Sequence, residues 1–310
     1  MDLSKHAATI PTNPDVAREI PNLLRIYKDG RIERLLGVDI VPYGIDSRTN
    51  VQSKDVTINP ETGLSARFYL PPNTSPSQKL TLLIYIHGGA FCVCTPFNPA
   101  FHLHMNTLSA DANVVAVSVH YRLAPESPIP ICYDDTWEAI QWAAKHVGGN
   151  GPEPWLNDHV DFGRVFFGGD SAGANIAHNM AMRGASEGFG GLNLNGIVLA
   201  CPYFGGDEKD LLVEFLYPNY EGVDDVKIHS TKDPKISDLG CNRVLIFVAE
   251  KDFLRERGKR YYEALKKSGW SGTVDIDETE GENHVFHLFN PAGEKSIALV
   301  KKFVQFITQK

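Results

Sequence analysis

Apolar residues along the chain fall into short dense runs separated by polar stretches. "ARFYL" (66–70), "LTLLIYI" (80–86), "NVVAVSV" (113–119), "RVFFG" (164–168), "GIVLAC" (196–201), "RVLIFVA" (243–249) and "GTVDIDE" (272–278) have strand length. Several are apolar at nearly every position, as in strands buried on both faces of a parallel sheet. Between them, apolar residues recur at helical spacing in 133–147, 172–185, 254–267 and 293–309. Strands alternating with helices predict an α/β fold, a doubly wound, mostly parallel sheet with right-handed crossovers. Two stretches break the alternation. Residues 1–50 carry helical patches and turn residues, and 203–237 is a polar, Gly- and Pro-bearing insertion between two core strands. Both are expected to contribute a cap to a single domain spanning 1–310, because such sheets place binding loops beyond their strand ends.

Composition narrows the partners. The 310 residues are 43% hydrophobic and carry a formal net charge of −8, which speaks against nucleic acid or an anionic membrane. The first residues lack a basic start followed by an apolar core, and no apolar run approaches membrane-spanning length, so a cytoplasmic location is expected. Cys92, Cys94, Cys132, Cys201 and Cys241 are scattered through mostly apolar segments and are read as buried free thiols.

The chemistry concentrates in three places. In "FFGGDSAGANIAHNM" a strand runs through Gly169-Asp170-Ser171-Ala172-Gly173 directly into a helix. This G-x-S-x-G pattern is a nucleophile elbow, whose tight turn thrusts the serine out at the sheet edge. "IYIHGGAF" (84–91) ends another strand with a glycine pair, so Gly88 and Gly89, with Ala172, are the expected backbone donors to an oxyanion. In this arrangement the acid and then the histidine follow the serine along the chain. "RVLIFVAEKDF" delivers Asp252, with Glu250 as runner-up, and the loop "GENHVFHLF" delivers His284. Asp275 and Asp277 are read as structural or exposed, His178 and His287 as packed imidazoles, and His87 as a ring that shapes the oxyanion turn. His284 and His287 stand at a spacing that could share a metal, but no further ligand cluster accompanies them and Cys92 and Cys94 form no CxxC pair. No metal and no cofactor are expected.

With these residues in place the chain resembles plant carboxylesterases of the α/β-hydrolase fold, in the hormone-sensitive-lipase branch that also holds isoflavanone dehydratases and gibberellin receptors. The motifs carrying it are "RIYKDGRIERL" (25–35), "HGGAF" (87–91), "VHYRLAPESPIPICYDD" (119–135), "GDSAGANIAHNMAMR" (169–183), "VAEKDF" (248–253) and "GENHVFHLF" (281–289). The resemblance implies the same triad, Ser171, His284 and Asp252, and the same donors, Gly88, Gly89 and Ala172. Three departures stand out: Ala90 where the family has a third glycine, Ser127 after "YRLAPE", and a shortened segment between "CPYFGG" and "GCNRVLIF". The expected function is a serine carboxylesterase acting on a small hydrophobic or aromatic ester through an acyl-enzyme. The alternatives are a lyase or cyclase working in the same pocket, or a gibberellin-receptor-like binding protein. An intact Ser171 and His284 favour hydrolysis, since the resembling receptors have lost that histidine.

Overall fold

The computed structural model of the protein describes residues 13–75 and 77–309. In chain order its strands and helices are β1 (Val16–Ile20), β2 (Leu24–Tyr27), β3 (Ile32–Arg34), β4 (Gln52–Asn59), β5 (Leu64–Leu70), β6 (Leu80–Ile86), α1 (Pro99–Ala112), β7 (Val115–His120), α2 (Ile131–Ala144), α3 (Pro154–His159), β8 (Val160–Asp170), α4 (Ala172–Glu187), β9 (Leu194–Ala200), α5 (Leu211–Leu216), β10 (Arg243–Ala249), α6 (Arg255–Lys267), β11 (Thr273–Thr279), α7 (Phe286–Phe289) and α8 (Glu294–Thr308).

An eight-stranded sheet in the order β11-β10-β9-β8-β6-β7-β5-β4 forms the centre. It is parallel from β11 to β7, while β5 and β4 run antiparallel at one edge. Side chains alternate across it. Leu82, Ile84 and Ile86 of β6 face a core shared with α2, α4 and α6, while Leu83 and Tyr85 face another shared with α1, α7 and α8. Every residue of β6 is buried, as expected for a strand covered on both faces. Strand order reverses at β6, and both β6 and its neighbour β8 end in turns on the same edge, the switch point where such sheets bind ligands.

The predicted strands and the four predicted helices are all present, with ends shifted by a few residues. Helix α1 was not anticipated. His104, Asn106 and Ser109 lie on its buried side and interrupt the apolar period, while Asn98 caps it by accepting from Ala100 N.

The helical patches expected in residues 1–50 are replaced, among the described residues, by the antiparallel sheet β1-β2-β3. Asp29-Gly30 turns this chain, with Gly30 at φ 86° and Tyr27 N donating to Arg31 O, so hairpin chemistry overrides local helical spacing. Arg34 then ties β3 to the core by donating to Cys92 O, Ala124 O and both oxygens of Glu126. Residues 1–12 of the expected cap lie outside the described residues. The insertion 203–237 folds as α5 and three short 3-10 turns.

Candidate active site

Ser171 sits between β8 and α4 at φ 51°, ψ −119°, a conformation that strains any side-chain-bearing residue. Close packing enforces it. A Cβ on Gly173 would lie 2.0 Å from Ile86 O, and one on Gly169 would lie 2.5 Å from Gly173 O, so both flanking positions admit only glycine. Ser171 N donates to Ala200 O and Tyr203 N donates to Ser171 O, which pins the turn to the adjoining chain.

His284, in the loop between β11 and α7, meets this serine. Its Nε2 accepts from Ser171 Oγ at 2.9 Å and its Nδ1–H donates to Asp252 Oδ2 at 2.9 Å. The Asp252 carboxylate is fully buried at the end of β10 and fixes itself by accepting Leu254 N on Oδ1. It thereby selects the imidazole tautomer that leaves Nε2 free to take a proton. Glu250, the runner-up acid, is exposed and accepts from Gly281 N instead. Asp275 and Asp277 lie on the edge strand β11, where Asp277 pairs with Lys302.

The other histidines separate cleanly. His287 is buried against His104, their ring centroids 5.1 Å apart, and burial lowers its pKa. Neither of its ring nitrogens has a hydrogen-bond partner among the described residues, so it takes no part in the bonds that His284 makes. His178 is buried in α4, takes a hydrogen bond from the Tyr261 hydroxyl and is lowered by burial to about 3. His87 stacks on Tyr121 at 4.3 Å, and its Nδ1–H donates to Gly88 O, which shapes the glycine turn as expected.

The oxyanion turn departs from expectation at one residue. Gly88 N–H donates to Asp170 Oδ1 at 3.2 Å and is therefore not available to a substrate. The N–H groups of Gly89, Ala90 and Ala172 meet no acceptor among the described residues. Ala90 and Phe91 both hold positive φ, 52° and 62°. Ala90 thus adopts the left-handed conformation a third glycine would take more easily.

The remaining neighbours were missed from sequence. Asp170 is buried beside the nucleophile, where only the charge at the end of an apolar strand could have drawn attention to it. Cys201, at φ 46°, is buried with its sulfur beside the Asp252 carboxylate. Cys201, Asp252 and His284 place ligand-type atoms within 4.8 Å of one another. As a metal site they fit poorly, because burial raises the thiol pKa and Asp252 already holds the His284 proton.

Residues 83–288 match the family described as alpha/beta hydrolase fold. This chain belongs to that family. The chain is 43% identical to "Probable carboxylesterase 5" of Arabidopsis thaliana, over 94% of this chain and 98% of that protein. It is 41% identical to a "2-hydroxyisoflavanone dehydratase" of Glycyrrhiza echinata, over 96% and 97% of the respective chains. Among solved structures, a hyperthermophilic esterase from the archaeon Pyrobaculum calidifontis superposes with a TM-score of 0.69 at 26% identity, over 83% of this chain and 85% of that one.

Proposed function

We infer that this chain is a serine carboxylesterase that hydrolyses small hydrophobic or aromatic carboxylic esters. The observation that carries the reading is the unbroken relay Ser171–His284–Asp252, with both links at 2.9 Å. Its similarity to plant carboxylesterases and to a solved esterase supports the same reaction.

In the proposed mechanism Ser171 Oγ attacks the ester carbonyl carbon as its proton passes to His284 Nε2. The resulting oxyanion is met by the N–H groups of Gly89 and Ala172, which the sequence led us to expect, and by that of Ala90 in place of Gly88. The carbon–oxygen bond to the alcohol then breaks, and imidazolium hands its proton to the leaving alcohol. Water, deprotonated by His284, attacks the acyl-enzyme and frees the acid and Ser171. Asp252 holds the ring and stabilises the transient imidazolium throughout.

Aromatic residues support an apolar substrate. Phe253 lies 5.1 Å from the His284 ring, and Phe91 packs between Tyr133 and Tyr203. We place the cap in about 1–50 and 203–237 of a single domain, and the protein in the cytoplasm. Among the described residues no helix is long and apolar enough to cross a membrane.

Turnover of a short p-nitrophenyl ester, lost in Ser171→Ala and in His284→Ala, is the expected result. A protein inert to such esters but able to dehydrate a hydroxyisoflavanone would favour the lyase reading that the similarity to the dehydratase raises.

A further inference from the structure

Asp170 is 1% exposed and makes no contact with a lysine or arginine among the described residues. The titratable groups facing it are Tyr85, Cys94, Tyr121, Cys201 and His284. A carboxylate buried without a cation is costly unless hydrogen bonds hold it. Here its Oδ1 accepts two, from the Tyr85 hydroxyl at 3.0 Å and from Gly88 N–H at 3.2 Å. Its Oδ2 presses against the same turn, for a Cβ on Gly88 would lie only 2.3 Å away. Tyr85 belongs to β6 and Gly88 to the turn that follows it, whereas Asp170 ends β8 immediately before the nucleophile. One carboxyl group therefore fastens the oxyanion turn to the nucleophile elbow, and it engages the Gly88 amide while those of Gly89 and Ala90 meet no acceptor among the described residues.

We propose that Asp170 is a positioning residue for ester hydrolysis: by capturing Gly88 N–H it holds the turn so that the Gly89 and Ala90 amides point at the substrate oxygen. The inference rests on the hydrolase reading. It explains why Gly88 carries no side chain, since any Cβ would displace the carboxyl group. It also accounts for positive φ at Ala90 and Phe91, which are not glycine, the strain there being held from Gly88 onward. Burial pushes the Asp170 pKa up to about 7, with the Tyr85 and Gly88 hydrogen bonds pulling the other way, as expected for a group kept for its acceptor oxygen.

The test is p-nitrophenyl ester turnover by wild type, Asp170→Ala and Asp170→Asn, with inhibition by a trifluoromethyl ketone measured alongside. Asparagine keeps an acceptor oxygen at the Oδ1 position, and alanine removes it. We expect Asp170→Ala to lose kcat about 10²-fold with KM changed less than about threefold, and ketone affinity to fall in parallel with kcat/KM. Asp170→Asn is expected to recover to within about tenfold of wild type. A purely structural residue would show neither the split between kcat and KM nor the rescue. An Asp170→Ala enzyme within threefold of wild-type kcat overturns the proposal, as does an Asp170→Asn enzyme no better than Asp170→Ala. Should Asp170→Ala not fold, Asp170→Ser, whose hydroxyl is too short to reach the Gly88 amide, replaces it under the same criteria. Absence of wild-type turnover and of Ser171 labelling would remove the hydrolase reading itself. Wild-type turnover with an unimpaired Asp170→Ala would overturn this inference alone.

Discussion

Two neighbouring turns serve the same reaction, and they are built in opposite ways. The elbow after β8 concentrates its strain on one residue, Ser171, and its glycines are dictated by backbone atoms a few residues or one strand away. The turn after β6 spreads positive φ over Gly89, Ala90 and Phe91, and only the first of these is glycine. It is held by distant side chains instead: Asp170 on Gly88 N–H, Tyr121 on His87 O, and Arg34 on Cys92 O. The glycines of both turns are readable in the sequence, whereas the side chains that hold the second from outside are not.

The largest effects should come from the elbow. Ser171→Ala removes the attacking oxygen and should lower kcat about 10⁴-fold or more, read by steady-state ester turnover. Gly173→Ala drives a methyl group into Ile86 O, backbone that cannot swing away, and should cost about 3–5 kcal/mol of stability in denaturant titration. A folded, active Gly173→Ala protein would show that the elbow can relax and that the contrast between the turns is overstated.

The outer supports of the oxyanion turn predict smaller changes. Arg34→Met cuts the ties to Cys92 O and Ala124 O and should lower kcat roughly three- to tenfold while the triad stays intact. An unchanged kcat would mean the turn holds itself.

Stability should also fall in mild acid. Burial lowers His104 to about 4 and His87 and His178 to about 3, below the value near 6.5 of an unfolded chain. The unfolded state then binds more protons, so their contribution is complete above pH 6.5 and is lost as pH falls through that window, at about 1.4 kcal/mol per histidine per unit. Asp170, raised by burial to about 7, acts in the opposite sense: its contribution is complete below its unfolded value and is lost as pH rises through 7. It offsets about one histidine. A Tm several degrees lower at pH 5.5 than at pH 7.5 is expected, and an unchanged Tm would contradict the burial of these rings.

The smallest effect concerns Ala90. Ala90→Gly removes the strain of a left-handed alanine but adds freedom to the unfolded chain, so stability should rise by about 1 kcal/mol or less.

Much of this was legible in the sequence for a physical reason. Strands β6 and β10 are apolar at all but one position each, Thr81 and Arg243, because both faces are covered, and the chain order of serine, acid and histidine follows from strand order at one sheet edge. His284 could be separated from His287 because the first lies in a polar loop and the second in an apolar run. What stayed hidden depends on contacts distant in sequence. That Gly88 is engaged by Asp170 needs a partner 82 residues away, and Asp252 meets its thiol neighbour Cys201 only through the sheet. Helix α1 was obscured by polar residues that face inward, and the N-terminal sheet by short strands whose pairing comes from turns.

The central claim is that Ser171 is the nucleophile activated by His284, and covalent labelling tests it most directly. Incubation with an organophosphate followed by peptide mass mapping should place one phosphoryl group on Ser171, with labelling abolished in Ser171→Ala and slowed about 10³-fold or more in His284→Ala. Labelling elsewhere, or equal labelling in the presence and absence of His284, would contradict the account.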